Sequence, residues 1–128
     1  MDALGYSIPE PDLWALLAQE GGRVGQVREN KNHTVDMGPL QVNSSWLPRF
    51  VRAWGLKDEA TALVMLRDNG CWNAAAGAAI YQAMLVEAHD DRRQALGWYY
   101  SHTHRLAVCY LAQLDRQAIK LFGSPAGH

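Results

Sequence analysis

Residues 13–22 read Leu13-Trp14-Ala15-Leu16-Leu17-Ala18-Gln19-Glu20-Gly21-Gly22, and the rest of the chain is read outward from them. Leu13, Leu16, Leu17 and Glu20 fall at positions i, i+3, i+4 and i+7, a spacing that lines one face of an α-helix. Pro9 and Pro11 suit the first turn of such a helix, where the amide they lack has no intrahelical partner. Gly21-Gly22 is a strong stop. The spacing therefore predicts a helix over 8–20 that ends on a carboxylate. Glu20 lies on the apolar side and in the last turn, where the helix dipole disfavours negative charge. Burial and dipole both favour its neutral form, so the carboxyl is expected to hold its proton above the ordinary glutamate range.

Further helices follow, joined by short polar turns. Residues 23–39 form a long polar stretch rich in Asn and Gly, read as a loop with a short hairpin around 34–37. Ser44 or Ser45 is placed to cap a helix carrying Trp46, Phe50, Val51 and Trp54, which Gly55 ends. Asp58 caps the next, with Ala62, Leu63 and Leu66 on its apolar side. Asp68-Asn69-Gly70 reads as a turn. A helix over 73–88 is alanine-rich, and its small side chains let neighbours approach closely. Asp90-Asp91 turns the chain into a helix over 92–98, and 99–102 breaks the pattern. A last helix covers 103–122, with Leu106, Cys109, Tyr110 and Leu114 on one side, and Gly123-Ser124-Pro125 ends it. No stretch alternates strongly, so the fold class is mainly α: one domain over 1–128 with at most a short β-hairpin.

A chain of 128 residues suits one compact domain. Its 48% hydrophobic and 20% charged content excludes a disordered segment, and a net charge of -1 calls for no nucleic-acid partner. No apolar run nears the roughly 20 residues of a membrane span. Residues 13–18 are too short, and too poor in preceding basic residues, for a signal peptide. An exported form would carry its targeting segment outside this sequence. Cys71 and Cys109 allow one intramolecular bridge; they are read as small buried residues, with the disulfide as the alternative. His102 and His104 are two apart and do not share a helix face, and no HExxH is present, so no metal or other cofactor is expected. Asp36 is read as tying down the polar loop, and Asp12 as first-turn helix charge. Trp46, Trp98 and Tyr100 suit either core packing or stacking on sugar rings.

A carboxylic acid kept neutral near pH 7 is what glycosidic cleavage asks of its general acid. Four ordered segments add to that. They are LLAQEGG (16–22), TVDMGPLQVNSSWL (34–47), DNGCWNAAAGAAIY (68–81) and ALGWYYSHT (95–103). Together they resemble the successive signature blocks of the soluble lytic transglycosylase catalytic domain, most of all its small members that accompany secretion and pilus systems. The resemblance runs from about residue 11 to about residue 117. It implies a lysozyme-like fold and cleavage of peptidoglycan glycan strands between N-acetylmuramic acid and N-acetylglucosamine, closing a 1,6-anhydro ring. The alternatives are a hydrolytic lysozyme using the same glutamate, or a catalytically weak wall-binding assembly module.

The resemblance also assigns residues. Glu20 falls on the catalytic glutamate, with Gly21 where the family usually has serine. Gly38, Leu40, Gln41, Val42 and Asn43 match a Gly-Leu-Met-Gln-Ile-Asn block. Gln41 and Asn43 then fall among the sugar contacts, and Leu40 where a methionine usually lines the cleft. Asn73 and Cys71 match the asparagine and cysteine of the third block. In secretion-associated relatives that cysteine commonly pairs with one near the mature N-terminus; no cysteine precedes Cys71 here. Tyr99 falls on the tyrosine of the Ala-Tyr-Asn-x-Gly block, with Tyr100 and His102 in place of its asparagine and glycine, and Ser101 is compatible with it. The implied partners are glycan strands and secretion or pilus assembly components, and the implied location is periplasmic or secreted.

Overall fold

The computed structural model describes residues 2–3 and 6–127, and side chains from Ile8 onward. The chain is mainly helical. In order come β1 (Asp2–Ala3), β2 (Tyr6–Ser7), α1 (Glu10–Glu20), β3 (Val27–Glu29), β4 (Val35–Met37), β5 (Val42–Asn43) and a 3-10 turn (Ser44–Trp46). Helices α2 (Leu47–Trp54), α3 (Glu59–Asp68), α4 (Gly70–Glu87), α5 (Arg92–Tyr100) and α6 (His104–Phe122) complete it. Two compact units divide the chain: Met1–Gln19 with Ala78–His128, and Glu20–Gly77.

The helix ends follow their capping chemistry. Asp58 accepts the Thr61 amide at 2.8 Å and Asp91 that of Gln94 at 3.0 Å, as the sequence predicts for α3 and α5. Gly55 and Gly123 close α2 and α6 in the left-handed conformation. Elsewhere the boundaries move. Helix α1 starts at Glu10, not residue 8. Asn43, not Ser44 or Ser45, caps the turn into α2 by accepting the Ser45 amide. Asn69 is more than a turn residue: its Oδ1 accepts the Cys71 and Trp72 amides, so α4 begins at Gly70, three residues before the expected start. Helix α5 runs through Tyr99 and Tyr100, and the break falls at 101–103 instead.

In the 20–77 unit the residues expected to form a short hairpin, 34–37, lie on the central strand of a three-stranded antiparallel sheet in the order β3-β4-β5. Arg28 pairs with Asp36, and Asp36 with Asn43. The β3–β4 turn is closed by the Asn30 amide on the Thr34 carbonyl (2.9 Å), with Asn32 accepting from the Thr34 amide (3.1 Å). Buried Met37, Leu40, Val42, Leu47, Phe50, Ala62 and Leu66 form the interior of this unit. Asn73, fully buried on α4, ties three segments together. Its Nδ2 donates to the Met37 and Leu66 carbonyls at 2.8 and 3.0 Å, and its Oδ1 accepts the Leu40 amide at 2.9 Å.

The other unit packs α5 against α6 at a point where Gly97 faces Ala107; a Cβ on Gly97 would stand 3.2 Å from the Ala107 methyl. Asp12 lies in the first turn of α1, as read from the sequence, and is 1% exposed. It pairs with Arg92 at 3.0 Å and accepts the Gly127 amide at 3.0 Å. Burial, reinforced by the Asp12 charge, pushes the Tyr81 hydroxyl above the ordinary tyrosine range, with Arg92 opposing in part. Arg93 adds a two-pronged pair with Asp115 (2.9 and 3.0 Å) and donates to the Ala126 carbonyl at 2.7 Å. Cys71 and Cys109 are both exposed free thiols, which corrects the expectation of buried residues. Among the described residues no helix is long and apolar enough to cross a membrane.

Asp12 is buried but the Arg92 side chain is 32% exposed, so removing Asp12 leaves a cation that water partly reaches. Asp12→Ala is expected to cost about 2 kcal/mol in urea unfolding. The double change Asp12→Leu with Arg92→Met should cost less than that single change.

Candidate active site

Glu20 is the last residue of α1 and half-buried, and the last turn of that helix holds no basic side chain to offset the dipole. Gly21 follows at φ +61°, the left-handed conformation that ends helices at little cost only for glycine. A Cβ there would meet nothing within 4 Å. Gly22 is the opposite case. A Cβ on Gly22 would run into the Gly38 carbonyl oxygen and stand 2.8 Å from Gln41 Nε2. The backbone just after Glu20 therefore lies flat against the 38–41 turn.

That turn is tightly specified. Gly38 is at φ +69°, and a Cβ on it would strike the Asn73 amide, so only glycine fits. Its carbonyl accepts both the Gln41 amide at 3.1 Å and Gln41 Nε2 at 2.9 Å. Gln41 itself takes φ +50°, a conformation that costs a non-glycine residue about 1 kcal/mol. Gln41 is 8% exposed, and its Oε1 is buried with no hydrogen-bond partner among the described residues. An amide oxygen in that state is a strong acceptor with its hydration already removed.

The other expected site residues divide by position. Leu40 is 1% exposed, with its side chain in the interior of the 20–77 unit. Asn43 spends its amide locally, donating to Thr34 Oγ1 at 3.0 Å and Asp36 Oδ1 at 2.8 Å while capping the 3-10 turn. Asp36 thus ties β4 to β5. Tyr99 and Ser101 belong to the other unit. Tyr99 is half-buried in the last turn of α5, and Ser101 follows it with Oγ accepting the Thr103 amide at 3.1 Å. Glu20, Leu40, Gln41 and Asn43 share one unit. The sequence reading missed Gly22 as a packing position and Asn73 as the clamp of the turn. The doubled glycine after Glu20 was the available signal for the first.

Among the described residues no group of three or more His, Cys, Asp or Glu side chains is set to hold a metal ion. Compared with known protein families, curated proteins and solved structures, the chain finds no match in any of the three.

The two glycines separate by experiment. Gly21→Ala, strained only by its backbone angle, is expected to cost about 1 kcal/mol in thermal or urea unfolding. Gly22→Ala must displace the Gly38 carbonyl and is expected to cost at least about 2 kcal/mol.

Proposed function

We propose that this chain cleaves peptidoglycan glycan strands as a lytic transglycosylase, with Glu20 as its single catalytic acid and base. One observation carries the reading. Gly22, two residues beyond Glu20, packs on the Gly38 carbonyl and the Gln41 amide, so the acid-bearing segment adjoins a desolvated, unmatched amide oxygen. A sugar N-acetyl N–H or hydroxyl is the kind of donor that oxygen lacks. Glu20 would protonate the glycosidic oxygen as the bond to the muramic acid C1 breaks. The substrate's own acetamido group would stabilise the cationic centre, so no protein nucleophile is needed. Glu20, now ionised, would take the proton of the same sugar's 6-hydroxyl as that oxygen closes on C1, giving the 1,6-anhydro ring and regenerating the acid. This one-carboxyl plan differs from the paired carboxylates of most glycosidases. It agrees with the local engagement of Asp36, which Asn43 holds within the sheet. The protein acts in the periplasm or outside the cell, opening the wall for a secretion or pilus assembly.

Mass spectrometry of the products from purified cell wall tests this directly. Wild-type protein is expected to release 1,6-anhydro-muramic ends, and Glu20→Gln to lower the rate about 10³-fold. Reducing-end sugars in their place would assign a hydrolase. A wild-type rate no higher than that of the variant would leave a wall-binding module. Gln41→Leu removes the unmatched acceptor together with the Nε2 bond to the Gly38 carbonyl, and the same assay should show cleavage slowed about tenfold while the unfolding free energy falls by about 1 kcal/mol.

A further inference from the structure

The outer face of α6 is the surface that the catalytic reading leaves unused. The helix packs inward through Ala107, Tyr110, Leu114 and Ala118, all buried. Val108, Ala112, Ile119 and Phe122 stand at i, i+4, i+11 and i+14 and share a different face. Val108, Ile119 and Phe122 are 49%, 51% and 47% exposed. Beside this row run Arg105, Arg116 and Lys120, all exposed and also at helical spacing. The only acid on α6 is Asp115, and Arg93 and the Ala126 amide engage it. The outward face is therefore apolar along one side, apart from the paired Asp115, and cationic along the other, with no uncommitted negative charge.

From this pairing we infer that α6 docks by its outer face on an anionic phospholipid surface, its apolar row sinking to the acyl boundary and its cations meeting the headgroups. Such a helix lies in the interface without crossing it. The charge pattern selects this occupant. A second copy would bring Arg105, Arg116 and Lys120 against their own equivalents.

Co-sedimentation with vesicles tests the inference. The full chain is expected to bind vesicles of phosphatidylcholine with phosphatidylglycerol, to be released by salt, and to bind pure phosphatidylcholine at least tenfold more weakly. Arg116→Gln and Lys120→Gln should each weaken binding roughly fivefold. Ile119→Ser with Phe122→Ser should weaken it at least tenfold with circular dichroism unchanged; were that pair to disturb the fold, Val108→Ser on the same row serves instead. Absent binding to the anionic vesicles, equal binding to both kinds, or insensitivity to the apolar changes would overturn the inference. So would a concentration-dependent dimer that the same apolar changes abolish, which would make the face a contact between copies.

Discussion

One buried amide governs the 20–77 unit. Asn73 offers one acceptor oxygen and two donor hydrogens, and each is used on the backbone of a segment that is not its own helix. Backbone groups this deeply buried need partners, since leaving one unmet costs about 1–3 kcal/mol. Asparagine meets the need with a rigid planar group of the right polarity at both ends. Aspartate would lose the two donors, and leucine all three bonds. The consequence reaches the candidate site: with Met37 and Leu40 held, Gly38 and Gln41 are left their positive φ angles, and Gln41 Nε2 is drawn onto the Gly38 carbonyl.

The other unit solves a similar problem with charge. Buried Asp12 is neutralised by the partly exposed Arg92, while Arg93 and Asp115 pair nearer the surface. Both arrangements also satisfy backbone groups of 126–127. Geometry of this kind is demanding, because a buried pair repays its desolvation only when the remaining polar atoms are also met. Here the Gly127 amide supplies a second contact to Asp12. The result ties the first turn of α1, the first turn of α5 and the tail of the chain into one electrostatic cluster.

The helices were legible because their signals are local. Apolar spacing, Asp58 and Asp91 as caps, and Gly55 and Gly123 as stops act within a few residues of the structure they specify. The sheet was only half legible. Strand β3 is exposed along its length and only three residues long, so no buried alternation marks it. The start of α4 was missed because Asn69, at a turn-like Asp-Asn-Gly, serves as a cap. The cysteines were misplaced because residue type reports average burial, whereas Cys71 lies in a first turn and Cys109 on the outer side of α6. In the candidate site, Glu20 and Gln41 stood out by spacing and by block. Most of what Asn73, Gly22 and Asp12 do depends on partners 16 to 115 residues away, and no local pattern encodes a partner at that range.

Because each unit carries one surface thiol, Cys109 on the first and Cys71 on the second, the native sequence supplies anchoring points for a pair of maleimide spin labels or fluorophores. No engineered cysteine is required. Inter-label distance distributions would then be read from the unmodified sequence.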